Sequence, residues 1–224
     1  MYGFEHRGLA LALMLWCVPA MLPTGAAHAA QAPSAQPAPQ GEFEVTGFRS
    51  AKFGMSDPEV RAAMVKDLKI TAADIHETEN PTEHTHVLVA TVPSLAPLEG
   101  KVEIAYVFGF KTHKLIQVGA TWRTALDAKV TPDVLVANAN TLQSLFLSQG
   151  YKPGTITTNG TLATGGLLVF RGEDEKKHST ILILQGKTTA GANGSQTLAP
   201  EALVLLYVEN TETPDAMKIA PGQF

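Results

Sequence analysis

The sequence predicts an α+β fold built as a tandem α-β-β-β repeat, with antiparallel sheets each packed by one helix. Two helix-start signals carry the prediction: Ser56-Asp57-Pro58-Glu59 and Thr131-Pro132-Asp133 stand 75 residues apart. Each is followed by apolar residues at helical spacing, and then by three segments with strand character. What recurs is the order of elements; the residues themselves are scarcely alike in the two halves.

In the first half, Phe43 to Ser50 alternates loosely and reads as a short strand. Ser56 and Glu59 form a capping box, and the acidic side chains suit the positive end of a helix. Val60, Ala63, Met64 and Leu68 follow on one face, with Arg61, Lys66 and Lys69 facing away. A polar loop is expected from Thr71 to Thr85. Strands come next over His86–Val92, Lys101–Phe108 and Lys114–Arg123, the last two joined by a turn at Gly109–His113. In the middle strand Val102, Ile104, Tyr106 and Phe108 share a face, as expected for a sheet with one wet side.

The second half starts its helix with Pro132 at the first helical position. Leu135, Ala139, Leu142 and Phe146 make its apolar stripe, and Gly150 is expected to close it as C-cap. Its strands are Gly166–Arg171, Ser179–Gly186 and Ala202–Val208. Ile181 to Leu184 and Leu203 to Val208 are apolar on both faces, so both sides of this sheet call for cover. One helix covers one side. The first repeat, a second copy of the chain or a protein partner would cover the other, and cover from within the chain ranks first.

The 224 residues are 45% hydrophobic and 17% charged, with net charge −4, which excludes wholesale disorder and the basic surplus of a nucleic-acid binder. The N-terminus reads as a secretory signal: Arg7, an apolar run from Leu9 to about Leu22, and Ala27-His28-Ala29 as a small-x-small cleavage site. Pro19 and Pro23 interrupt the run, which is short for a membrane span. Cleavage there removes Cys17, the only cysteine, and leaves no transmembrane segment and no disulfide or thiolate chemistry. The expected organisation is a signal peptide over 1–29, a Pro/Ala/Gln linker over 30–41, and repeats over 42–128 and 129–224. The location implied is periplasmic or secreted.

The stretch Gly47-Phe48-Arg49-Ser50-Ala51-Lys52-Phe53-Gly54-Met55-Ser56-Asp57-Pro58-Glu59-Val60 runs a strand into "FGM" and then a capped helix. Tyr106-Val107-Phe108-Gly109, Leu115-Ile116 and Ala120-Thr121-Trp122 supply a following "Y-x-F…L…W" strand pair. The combination resembles the superfamily of β-lactamase inhibitor proteins and outer-membrane assembly lipoproteins of the SmpA/OmlA kind, over residues 43–123. That resemblance implies a non-enzymatic, protein-binding module. The lipid-anchor Cys of the lipoproteins and the disulfides of the inhibitors have no counterpart here.

No catalytic motif stands out: G-x-S-x-G, S-x-x-K and G-x-G-x-x-G are all missing. Gly186-Lys187-Thr188 ends like a phosphate loop, but Ile181 stands where the motif needs Gly. His76-Glu77-Thr78-Glu79-Asn80 begins like H-E-x-x-H and ends in Asn. His84-x-His86 would put two imidazoles on one face of an extended strand, with Asp74, Glu77, Glu79 and Glu83 nearby. His76, His84 and His86 are therefore the candidate metal ligands. A solvated, charge-rich loop is the simpler reading of the same residues. Asp127, Asp133 and Glu173-Asp174-Glu175 read as turn, cap and hairpin residues, and Trp122 as core.

No cofactor is implied. The leading functional expectation is an exported interaction module with a protein partner in the cell envelope and no nucleic acid; self-association through the second sheet stays open. The alternative is a periplasmic protein that binds a metal or small ligand through the His76–His86 segment or the cleft between repeats. An enzyme with a dispersed active site is the third class.

Overall fold

Ser56 begins a helix because its backbone N–H donates to the Glu59 carboxylate at 2.8 Å, closing the first turn. The computed structural model, which describes residues 43–162, 166–190 and 196–217, runs this helix, α1, over Asp57–Leu68 and ends it on Lys69 in the left-handed conformation. The second helix, α2, spans Pro132–Leu147, with Thr131 Oγ1 accepting from the Val134 N–H. It closes at Ser148 rather than at Gly150, because the Ser148 N–H still reaches the carbonyls of the last turn. The signal peptide, the linker and most of the Gly/Ser-rich loop lie outside the described residues.

Phe43 to Ser50 is mostly not a strand: only a two-residue hairpin forms, β1 (Gly47–Phe48) against β2 (Ala51–Lys52). It is fastened to the end of α1 by Asp67, whose carboxylate accepts from the Ser50 N–H at 2.8 Å and the Ser50 hydroxyl at 2.6 Å. After α1 come β3 (His76–Asn80), β4 (Thr85–Val92), β5 (Val102–Phe108) and β6 (Leu115–Arg123). After α2 come β7 (Thr157–Thr161), β8 (Leu167–Glu173), β9 (Ser179–Ala190) and β10 (Gln196–Val208). Each helix is thus followed by four strands, not three. The polar loop expected over Thr71–Thr85 contains β3, whose sequence His-Glu-Thr-Glu-Asn has no apolar face and which forms by pairing with β4.

The eight strands form one antiparallel sheet in the order β3-β4-β5-β6-β10-β9-β8-β7. This replaces the expected pair of sheets. The two meanders meet where β6 pairs with β10, from Arg123↔Ala202 to Gln117↔Val208. Strand alternation then sorts the side chains. Leu88, Ile104, Tyr106, Val118, Trp122 and Leu203 lie on one face and are all essentially buried.

The described covering elements pack on that same face. Phe146 of α2 sits 5.3 Å, ring to ring, from Phe170 of β8, and Phe48 of the hairpin faces Tyr207 at 6.1 Å. Asp57 of α1 reaches His86 of β4. Asn138, in the apolar stripe of α2, is also buried, and exchanges two hydrogen bonds with the backbone of Glu99 in the β4–β5 connection. Among the described residues no helix is long and apolar enough to cross a membrane.

Among the described residues, both helices pack on the first face, and the other face of the second meander is only partly buried. Along β5 burial alternates residue by residue between buried and half-buried, and Val204, Leu206, Ile181 and Ile183 are likewise half-buried. The segment after β10 touches this face at one end, where Arg171 Nη2 lies 3.5 Å from Thr211 Oγ1. It continues to Asp215, whose carboxylate accepts from the Lys111 and Thr112 N–H groups, and to Met217, whose N–H donates to Glu83 O. Gly109 allows this strap to lie close, since a Cβ there would fall 2.3 Å from Asp215 Oδ2.

Asp174, read from sequence as a hairpin residue, is fully buried and gathers the N–H groups of Val45 (2.9 Å), Lys176 (2.8 Å) and His178 (2.9 Å). His178 Nδ1 lies 3.1 Å from the same carboxylate. Removing a buried acceptor that serves several donors costs about 3 kcal/mol. Asp174→Ala is therefore expected to lower the urea midpoint by that order of stability and to release Phe43–Val45, while Asp174→Asn, which keeps one acceptor oxygen, loses less. An Asp174→Ala chain as stable as wild type in urea would contradict the anchoring role.

Candidate functional site

The three candidate ligands separate in the fold. His76 pairs with Val89 and Glu77 with Leu88, so His76 points to the opposite sheet face from Glu77, Glu79 and His86. His84 is not extended: it occupies the β3–β4 turn with φ 49°. The strand-spacing argument that joined it to His86 therefore fails, because one residue of the pair is outside the strand.

His84 and His86 nevertheless share a hollow. Side chains of Glu77, Glu79, His84, His86, Phe110 and His113 line a depression of about 490 Å³ at the ends of the β3–β4 and β5–β6 hairpins. Two of its three imidazoles are already engaged. His84 Nδ1 lies 3.0 Å from Glu79 Oε1, and His86 Nε2 lies 2.9 Å from Asp57 Oδ2 while its ring stacks 5.2 Å from Phe108. Among the described residues no group of three or more His, Cys, Asp or Glu side chains is placed to hold a metal ion.

Beside the hollow, and sharing Glu77 and His86 with it, runs a closed ring of polar contacts. Arg61 Nε lies 2.6 Å from Asp57 Oδ1 and Arg61 Nη2 lies 2.7 Å from Glu77 Oε2. His86 completes the circuit, with Nδ1 3.6 Å from Glu77 Oε1 and Nε2 on Asp57. Partial burial pushes the Asp57 carboxyl up, but the hydrogen bonds from Arg61 and His86 outweigh it and hold the group below its ordinary value. Arg61, expected to face away from the core into solvent, is instead the link between α1 and the edge strand. The spacing of Asp57 and Arg61, four apart, was the available signal; Glu77 could not be joined to them from sequence.

The larger candidate surface is the uncovered sheet face. Register places Val89, Ala105, Gly119, Leu206 and Ile181 in one row across β4, β5, β6, β10 and β9. The neighbouring row holds Glu103, Thr121, Val204, Ile183 and Leu168. The charges on this face are paired within the chain: Arg123 with Glu103 at 2.7 Å and Arg171 with Glu173 at 2.8 Å. The result is a broad apolar centre with a neutralised polar rim, the composition of a protein-binding patch. At one margin Arg123, Gln185 and Glu201 border a shallow hollow where β9 and β10 run on beyond their neighbours.

The Asp57 ring generates a pH-dependent expectation. A carboxyl whose folded-state value is lowered contributes stability above its ordinary 3.8, and that contribution disappears as pH falls through the folded-state value. Asp57→Asn should thus cost about 1 kcal/mol at neutral pH. The difference from wild type in thermal melts should shrink below about pH 4. A gap between the two melting temperatures that stays constant across that range would count against the ring.

The chain matches no family model, no curated protein and no solved structure.

Proposed function

We propose that this chain is an exported, non-enzymatic interaction module of the cell envelope, which receives a protein partner on the uncovered face of its sheet. The observation that carries the reading is the one-sided cover: among the described residues both helices and the N-terminal hairpin pack on one face, while an apolar centre stays only partly buried on the other. A sheet of this breadth offers on the order of 650 Å² to a partner, comparable to one side of a specific interface.

In this reading the chain is a tandem repeat, each unit one helix with the strands that follow it. The 75-residue spacing of Ser56 and Thr131 and the mirrored strand order about the β6–β10 seam support it. The resemblance of residues 43–123 to inhibitor and assembly-lipoprotein domains agrees with protein binding as the activity. Export rests on the N-terminal signal pattern, and the paired rim charges suit a partner chosen by shape more than by net charge.

The test is site-specific photocrosslinking in the native envelope. Crosslinkers at Thr121 and Ile183 should capture a discrete partner, and capture should be lost when Val204→Lys is added on the same face. A crosslinker at Leu145, on the outer side of α2, should not capture it. Equal capture from both surfaces, or none from the sheet, would remove the sheet face as the docking surface.

A further inference from the structure

We propose that the strap from Asn210 to Met217 is a latch, which closes one end of the open sheet face and swings away about its Asn210 turn when Asp215 lets go. Its bearing on docking rests on reading that face as a protein-binding surface, and concerns the regulation of that same site.

The strap carries its own hinge. Asn210 Oδ1 accepts from the Glu212 and Thr213 N–H groups at 3.0 and 2.8 Å, and Asn210 Nδ2 donates to Thr213 Oγ1 at 2.9 Å. These bonds lie within the strap, so the turn persists whether the rest is docked or free. The far end hangs on one carboxylate. Asp215 Oδ1 accepts from the Lys111 N–H at 3.0 Å, and Oδ2 accepts from the Thr112 N–H and hydroxyl at 2.9 and 2.7 Å. Two backbone bonds join it there, Phe110 N–H to Asp215 O and Met217 N–H to Glu83 O, both 2.9 Å. These partners belong to the tips of the β3–β4 and β5–β6 hairpins. Between hinge and peg, Thr211 meets Arg171 at 3.5 Å and Glu212 meets Lys177 at 3.2 Å, the second an exposed ion pair of the kind that contributes little.

What the strap covers is poorly matched to a permanent seal. The register that pairs His86 with Phe108 sets Thr85 beside Gly109, over which the Asp215 carboxylate lies. Ser179 and Val208 pair with each other close to the Thr211 contact, since Ile181 of the same strand pairs with Arg171. Thr85, Val87, Ser179 and Val208 are all buried, while Val89, Ile181, Val204 and Leu206, further along the same strands, are half-buried. Yet the Thr85 and Ser179 hydroxyls have no hydrogen-bond partner among the described residues. A hydroxyl buried in this way has given up water and gained nothing in return. Opening restores both hydroxyls to solvent and uncovers Val87 and Val208, so the two effects oppose. That balance lets the segment open by itself, with the sheet intact. Opening also adds the buried end to the apolar centre, and so enlarges the surface offered to a partner.

The experiment is native-state hydrogen exchange of the chain, read amide by amide. Below the unfolding transition, exchange at Phe110, Lys111 and Thr112 should stay flat as urea is added, while exchange along the β6–β10 seam rises. Thr85→Val and Ser179→Ala each remove one unpartnered hydroxyl, and each should slow the three strap-held amides at least about threefold. Ser179 lies at the other end of the strap from those amides, so fraying of the β5–β6 turn by itself would not respond to it. Exchange at the three amides that follows urea together with the seam would overturn the latch, and so would exchange indifferent to both variants. In the envelope, capture through a crosslinker at Ile183 should rise with Asp215→Ala and fall with Thr85→Val. Capture that ignores both would overturn the link to docking. No capture from any chain, with exchange as expected, would remove the docking reading and leave the latch standing.

Discussion

The structure depends on one pairing, that of β6 with β10. Each meander taken alone ends on a strand with a free row of backbone N–H and C=O groups, and such an edge either finds a partner or invites the wrong one. Joining the last strand of each meander reduces four edges to two. It also lets both helices share one continuous apolar surface, so that Trp122 of β6 and Leu203 of β10 lie side by side in the same core. The two remaining edges are poor templates. β3 is short and charged, and β7 is interrupted at Asn159, which adopts φ 56° and is skipped in the pairing with β8.

That pairing also makes the faces unequal. With α1, α2 and the hairpin on one side, the described chain covers the other only where the strap from Thr211 to Met217 crosses the sheet end. The charged groups follow the same division. The ring of Asp57, Arg61, Glu77 and His86 ties α1 to the edge strand, and Asp174 anchors the chain at Val45. Both fix where covering elements sit. The open face keeps its few charges in pairs at the rim and leaves its centre to Leu206, Val204, Ile181 and Ile183.

Much of this was legible one element at a time. The cap at Ser56 and the stripe of Leu135, Ala139, Leu142 and Phe146 depend on residues three or four apart, and the alternation of β5 on residues two apart. β3 was not legible, because Glu77 and Thr78 become a strand only when β4 supplies hydrogen bonds. The histidines failed for a related reason: His84 is left-handed in a turn, and His76 has the opposite parity to His86 along the sheet. Asn138 stood out in an apolar stripe, but its partner Glu99 is remote in sequence.

The sequence by itself determined where the helices begin, which residues alternate into the core and that β9 and β10 would be apolar on both faces. These follow from short-range hydrogen bonding and from the two periodicities of the backbone. Only the tertiary structure decided that the two meanders form one sheet, and hence which face stays bare. Strand pairing is made by backbone groups that every residue carries, so the choice of β6 for β10 is written in no local motif. It emerges when the apolar rows of both halves are buried together under the two helices.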